Sequence, residues 1–140
     1  MQVQPLLNFD GRCEEALDYY TEALGAKVTG MMRWKDCPDK TSHATPGNEE
    51  KILNAAFSIG KAMLMAMAMA MDGPDPSGKP EFKGITLSMV VATPAEAKRL
   101  FEAISVGGKV MIPLAKTFYS PLSGMAADRF GVSWMVIVEA

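Results

Sequence analysis

Two side chains of this sequence have the chemistry of a reactive group: His43, the single histidine, and Cys13. An imidazole titrates near neutral pH, so His43 could serve as an acid–base group on the long polar loop that carries it. Cys13 begins a predicted helix, where the helix dipole favours a thiolate. For both residues we favour the simpler interpretation. His43 is then solvated, and Cys13 packs with the apolar residues of its helix.

Other common forms of chemistry find no support in the sequence. A Ser-His-Asp set requires His43, and no glycine-rich loop precedes a helix, because Gly107-Gly108 follows one. Cys13 and Cys37 form neither a CxxC motif nor a disulfide framework, so we expect a reduced, cytoplasmic protein. The net charge of −2 offers no basic surface for nucleic acid, and no apolar run reaches the length of a membrane helix.

The elements that must position a site occur twice in the 140 residues. A strand, a helix and a second strand run from Val3 to Val28, and the same order returns from Thr86 to Val110. The helices are followed by Gly25-Ala26-Lys27-Val28 and Gly107-Gly108-Lys109-Val110. Repetition of this kind predicts two modules, at about 1–71 and 85–140, joined by a Pro/Gly-rich linker at 72–84.

The first module is predicted from hydrophobic periodicity and turn residues. A helix follows Asp10-Gly11 and ends at Gly25, because apolar residues recur at spacings of three and four. The alternating methionines from Met63 onward favour a strand. The predicted strands are 3–9, 27–34, 52–59 and 62 to about 69, with a loop over 36–51; the apolar stripe of the helix is Cys13, Ala16, Leu17, Tyr20 and Leu24.

The second module carries a clearer helix start. Thr93 and Glu96 form a capping box around Pro94, and the helix continues to Ile104 with Ala97, Leu100, Phe101 and Ile104 on its buried face. The predicted strands are 86–91, 109–114, a short strand after a loop over 117–125, and 133–138, with a turn at 128–131.

Three segments resemble the vicinal-oxygen-chelate superfamily, and within it the PhnB-like group most. They are Gln4-Pro5-Leu6-Leu7-Asn8-Phe9, Cys13-Glu14-Glu15-Ala16 and Asp128-Arg129-Phe130-Gly131-Val132-Ser133-Trp134. The resemblance implies an α+β fold in which two βαβββ modules form cupped mixed sheets. It also implies a homodimer whose second copy completes each sheet.

The resemblance also implies where a divalent metal would bind. The three family ligand positions fall on Gln4, Thr86 and Met135. Together these residues supply neither negative charge nor imidazole, which divalent metals of this chemistry require. We therefore expect no conventional metal site and no cofactor.

Pocket-lining residues are likewise implied by the resemblance. Phe118, Tyr119, Ser120 and Trp134 match positions from which the family lines its concave sheet, and other strands add Trp34, Met65 and Met89. With the degenerate ligand positions Gln4, Thr86 and Met135, these are the candidate pocket residues. Ordinary core packing is the alternative for each of them, and no catalytic residue is identified.

Three functions are compatible with this set. The first is a PhnB-like protein that binds a small, partly apolar molecule in the cupped sheet without metal. The second is a metal-dependent isomerase or lyase of glyoxalase type, with Gln4 as the surviving ligand. The third is a sequestering resistance protein of bleomycin-binding type.

Overall fold

A computed structural model describes residues 1, 3–38, 47–67 and 81–140. The chain divides into two compact units, Met1–Pro80 (unit 1) and Glu81–Ala140 (unit 2). Within these residues each unit contains one α-helix and one open four-stranded sheet, in the order strand, helix, strand, strand, strand. The α+β class and the repeated βαβββ order are therefore confirmed. His43 and most of the predicted linker lie outside the described residues.

Unit 1 is a mixed sheet with one helix. Strand β1 pairs with β4 in parallel, and the other neighbours are antiparallel, in the order β1-β4-β3-β2. A short 3-10 helix, Trp34–Asp36, follows β2. The elements are β1 (Leu6–Asn8), α1 (Cys13–Leu24), β2 (Lys27–Arg33), β3 (Ile52–Ile59) and β4 (Ala62–Met67).

Unit 2 repeats this topology strand for strand. Its sheet has the order β5-β8-β7-β6, with β5 and β8 parallel and the rest antiparallel. Both Lys27 and Lys109 begin the strand after the helix, as the repeated exit sequence predicts. The elements are β5 (Leu87–Val91), α2 (Pro94–Ser105), β6 (Lys109–Ala115), β7 (Ser123–Ala127) and β8 (Ser133–Val138).

Two strands begin at places clearly different from the predictions, and several other strand ends differ by a single residue. Strand β1 begins at Leu6 instead of Val3, since Pro5 has no N–H to give to a ladder. Strand β7 begins at Ser123, inside the segment predicted as a loop, because Ser123 already pairs with Ile137. A Ser-Gly start indicates a turn in sequence. In the fold, Gly124 admits the ring of Phe101, whose Cε2 would lie 3.0 Å from a Cβ at this position.

Each helix covers one face of its own sheet. The apolar stripe predicted for α1 is buried in full, and the Tyr20 ring stacks on Phe57 of β3 with centroids 5.9 Å apart. Helix α2 buries Ala97, Leu100 and Ile104 as predicted, while Phe101 is half-buried. No helix in the described ranges is long and apolar enough to cross a membrane.

The helix ends follow the predicted signals. The Thr93 hydroxyl accepts a hydrogen bond from the N–H of Glu96 at 3.2 Å, and Pro94 occupies the first turn. Gly25 ends α1 in the left-handed region, with φ of 66°. Gly108 serves another purpose: a Cβ there would lie 2.1 Å from the carbonyl oxygen of Ala127, so only glycine lets β6 approach β7.

Replacing the cap tests this account of α2. Thr93→Ala leaves the Glu96 N–H without its acceptor and should lower the free energy of unfolding by about 1 kcal/mol. The matched control is Thr21→Ala inside α1, where Thr21 bonds the carbonyl of Leu17 and alanine has the higher helix propensity. Urea denaturation of both variants should show a loss only for Thr93. Equal stability of Thr93→Ala and wild type would contradict the assigned helix start.

Candidate functional site

Helix α2 covers one face of the unit 2 sheet and leaves the other uncovered. Because side chains alternate along a strand, each residue can be assigned to one of these faces. Gly124 lies against Phe101 of α2 and pairs with Val136 on β8, so Val136 is on the face that α2 covers. Side chains alternate along a strand, which places Trp134 on that same face and Met135 on the other. Their burial agrees, because Trp134 is 2% exposed and Met135 is half-buried.

The face that α2 leaves uncovered is named here the open face of unit 2. Along β5, β7 and β8 its register positions carry hydroxyls, methionines and small apolar side chains, and none of them is charged. Such a surface can accept a neutral molecule by van der Waals contact and a few hydrogen bonds. These positions are Thr86, Ser88, Val90, Ser123, Met125, Ala127, Ser133, Met135 and Ile137.

Two pairs of neighbouring hydroxyl groups lie on this face. Thr86 Oγ1 and Ser133 Oγ are 3.1 Å apart, and the sulfur of Met111 lies 3.8 Å from Ser133 Oγ. Ser123 Oγ donates to the Tyr119 hydroxyl at 3.3 Å. Each pair has donor or acceptor capacity beyond the bond it makes, because a hydroxyl has one hydrogen and two lone pairs.

The loop between β6 and β7 presents two aromatic rings. Phe118 is fully exposed, and Tyr119 packs edge-on against it with centroids 5.1 Å apart. Ser120 is buried, and its Oγ lies 2.7 Å from the carbonyl oxygen of Val138. Ser120 therefore holds the loop to the end of β8. The rings of Phe118 and Tyr119 are the side chains of this loop that are exposed for contact with other molecules.

Trp134 belongs to the core of unit 2 and is removed from the candidate site. Its Nε1 donates to Asp128 Oδ2 at 2.8 Å, and the same carboxylate accepts the N–H groups of Phe130 and Val132. Trp134 and Met135 are consecutive on one strand, so they lie on opposite faces and cannot line one pocket together. Met89 is placed by the same rule on the helix-covered face, opposite Val136.

The implied metal positions offer poor donors. Thr86 and Met135 share the open face of unit 2, where Thr86 supplies a neutral hydroxyl already paired with Ser133 and Met135 a thioether. Neither suits an oxygen-seeking divalent cation. Gln4 lies in unit 1, two residues before β1, and is half-buried. Within the described ranges no three His, Cys, Asp or Glu side chains form a group that could hold a metal.

Unit 1 contains the remaining candidates. Met65 has its backbone in register between Leu6 of β1 and Ala56 of β3. Trp34 follows β2 and is half-buried; its backbone N–H donates to the carbonyl of Lys51 at 3.0 Å. The indole Nε1 of Trp34 is buried and has no hydrogen-bond partner within the described part of the chain. This orphaned donor has no signal in the sequence.

Cys13 is fully buried in the apolar stripe of α1, which confirms the expected packing role. Burial, and to a smaller extent the carboxylate of Glu14, raises the pKa of its thiol to about 12. Both effects oppose the thiolate that a helix N-terminus would favour. Cys13 therefore keeps its proton at neutral pH and packs in the core of unit 1.

A polar cleft of about 450 Å³ at the start of α1 was not foreseen from the sequence. Three of its charged side chains are in ion pairs: Arg12 pairs with Glu15 at 2.9 Å, and Glu14 pairs with Arg33 at 2.6 Å. The guanidinium of Arg33 lowers the pKa of Glu14 through this hydrogen bond. The pairs are largely exposed, so each adds little stability. The lining residues are Gly11, Arg12, Glu14, Glu15, Asp18, Lys51 and Ile52.

The burial of Cys13 predicts how stability depends on pH. A thiol with a pKa of 9.0 when unfolded and about 12 when folded keeps its proton in the folded state over the interval between them. Its contribution is present in full below pH 9 and is lost as the pH rises toward 12. Between pH 9 and 11 the free energy of unfolding should fall more steeply for wild type than for Cys13→Ala.

The control for this comparison is Cys37→Ala, which keeps Cys13 and should retain the wild-type slope. Urea denaturation under reducing conditions gives the free energies. If the free energy of unfolding changed with pH equally in wild type and Cys13→Ala, the Cys13 thiol would not be buried.

Comparison with known proteins gives the same fold. The model of the Glyoxalase/Bleomycin resistance protein/Dioxygenase superfamily matches residues 2–136. Protein YjdN of Escherichia coli is 28% identical over 99% of this chain and 95% of its own length. Protein PA1353 of Pseudomonas aeruginosa is 36% identical, with a TM-score of 0.83 over 99% of this chain and 98% of its own.

A PhnB protein from Bacillus cereus, 21% identical, has the same fold, with a TM-score of 0.79 over 99% of both chains. The repeated βαβββ order, the parallel pairing of the first and last strands of each unit and the match over nearly all residues agree with one another. The chain therefore belongs to the Glyoxalase/Bleomycin resistance protein/Dioxygenase superfamily, with PhnB-like neighbours.

Proposed function

We propose that this protein binds a small, neutral, partly apolar molecule on the open face of unit 2, without a bound divalent metal. One observation carries the proposal: along β5, β7 and β8 the nine register positions of that face hold hydroxyls, methionines and other apolar side chains and no charge. Lys109 of β6, in register with Ala127, adds one cation at the edge of this face. A largely uncharged, flexible surface favours molecules that lose little hydration on binding. The physiological role is not assigned by these residues.

The chemistry of the family positions supports a site without metal. Met135 brings a thioether and Thr86 a hydroxyl shared with Ser133, so a bound dication would have no charge to balance it on this face. The alternative of a metal-dependent isomerase or lyase would need a carboxylate or imidazole here. Sequestration, the other alternative, uses the same face and differs by stoichiometric binding without turnover.

The proposal is tested with a fragment library of neutral molecules, carboxylates and ammonium ions, read by thermal shift. Neutral fragments that carry an oxygen acceptor or hydroxyl should give the largest shifts. Thr86→Val removes one hydroxyl of the Thr86–Ser133 pair and should weaken their binding about fivefold. Incubating each fragment that binds with stoichiometric protein, followed by NMR, separates turnover from sequestration.

The matched control is Thr29→Val on β2 of unit 1, whose hydroxyl donates to the carbonyl of Ala56 at 3.2 Å. It should leave fragment binding unchanged. A preference for charged fragments, or equal losses from both variants, would contradict a neutral site on unit 2.

We also propose that the protein is a homodimer that works in the cytoplasm, with Cys13 and Cys37 reduced. Support for the dimer comes from β2 and β6, each at the edge of its sheet with exposed apolar side chains. Such edges are aggregation-prone unless covered, and a second copy is the simplest cover. The exposed residues are Val28, Met31, Met32, Val110, Met111 and Ile112.

Light scattering after size exclusion tests the dimer. Wild type should elute with twice the mass of one chain at micromolar concentration. Ile112→Lys should shift the protein toward the monomer, because it places a charge in the proposed interface. Lys61→Glu, at an exposed hairpin turn, is the control and should remain dimeric. A monomeric wild type would contradict the proposal.

A further inference from the structure

Two methionines stand opposite each other on the open face of unit 2. Met125 of β7 and Met135 of β8 are register partners in an antiparallel pair. Side chains directly opposite in such a pair have Cβ atoms about 5 Å apart. Both methionines are half-buried, so neither sulfur is enclosed in the core. The two thioethers therefore extend side by side from this face.

A third methionine reaches the same face through an irregularity in β6. The register of β6 with β7 shifts between Val110 and Ile112, which leaves Met111 as an extra residue at a bulge. The Met111 sulfur lies 3.8 Å from Ser133 Oγ, which donates to it. Ser133 precedes Met135 by two residues on β8, so both side chains are on one face. The Ser133 hydroxyl thus holds the Met111 sulfur over the open face, beside the Met135 position.

Thioether sulfurs bind a narrow class of metal ions. They are soft, neutral donors, which favour Cu(I) over the divalent cations that require oxygen ligands. A monovalent cation also needs less compensating charge, and the positions of this face along β5, β7 and β8 carry no carboxylate. The methionine side chain is unbranched and flexible, so rotations of the side chains can bring the sulfurs to one ion without movement of the strands. A face that is unsuited to Mg²⁺ or Mn²⁺ is therefore suited to Cu(I).

We propose that Met111, Met125 and Met135 form a Cu(I) site with three thioether ligands. The site lies wholly within unit 2, on the neighbouring strands β6, β7 and β8. It differs from the divalent-metal positions that the family resemblance implies, because only Met135 is common to both and neither Gln4 nor Thr86 takes part. Binding is reversible coordination, in which neither the metal nor the sulfur changes its oxidation state.

Titration with Ag(I) gives the first test, because Ag(I) has the charge and ligand preference of Cu(I) and is stable in air. The methionine methyl groups are labelled with ¹³C and their signals are assigned. The signals of Met111, Met125 and Met135 should move together along a single binding curve. Met89, on the face that α2 covers, should not move with them. The chain has twelve methionines, so the readout is these signals and not the total silver bound.

Leucine substitutions give the second test, since they keep the volume and apolar character of methionine but remove the sulfur. Met125→Leu and Met135→Leu should each weaken Ag(I) binding, read from the two remaining methyl signals, by about tenfold or more, because losing even a group that supports metal ligands costs about tenfold. Met89→Leu is the matched control and should bind as wild type does. The same titrations with Cu(I) under anaerobic, reducing conditions should give the same order of affinities.

Separate binding curves for the three methyl groups, a Met89 shift equal to theirs, or unchanged affinity in both leucine variants would overturn the proposal. The wild-type titration stays decisive if a leucine variant fails to fold, because the methyl signals can also be assigned from their neighbours in space. Thr86→Val removes no sulfur and should leave Ag(I) binding unchanged, although it weakens the binding of neutral fragments. Failure of the Cu(I) site and failure of the proposed function are therefore distinguishable.

Discussion

A single helix can cover only one face of a sheet, and this constraint decides which residues of the protein are available for binding. Each unit has one helix on a four-stranded sheet, so each strand divides between a buried face and a face without a helix. In unit 2 the division separates neighbours: Trp134 is core, and Met135 faces outward. A one-residue shift in register would exchange the two sets, so the site depends on what fixes the register.

Asp128 makes a large contribution to fixing that register. Its buried carboxylate accepts from two backbone N–H groups of the turn and from the Trp134 indole, which ties the β7–β8 connection to the core. Ser120 performs a similar task at the other end of β8 by bonding the carbonyl of Val138. A turn and a loop held in this way keep the hydroxyls of Ser123 and Ser133 on the outward face.

Periodicity and capping residues predicted most of the fold. Local spacing predicts the apolar stripe of α1, the Thr93 cap and the start of the last strand at Ser133. All three are present in the structure, because each depends on residues close together in sequence. The start of β7 differs from the prediction because glycine indicates a turn in sequence. In the fold Gly124 lies within a strand, where a Cβ would crowd the ring of Phe101, a residue distant in sequence.

The candidate site was harder to predict. A resemblance to a family indicates which residues correspond to its site, but not which face of the sheet each of them lies on. The resemblance implies both Trp134 and Met135 as pocket residues, although strand alternation allows only one of them on a given face. The orphaned Nε1 of Trp34 depends on what surrounds the indole in three dimensions, which the sequence does not reveal.

The most direct test of the account is whether the protein binds a divalent metal ion, since the open face of unit 2 has no negative charge to hold one. Purified protein is analysed for bound divalent metal, and its melting temperature is measured before and after adding Mg, Mn, Fe(II), Ni or Zn. The account predicts substoichiometric metal and an unchanged melting temperature, because Thr86 and Met135 provide no charge. A stoichiometric divalent ion, or a rise of several degrees with one of these ions, would contradict it.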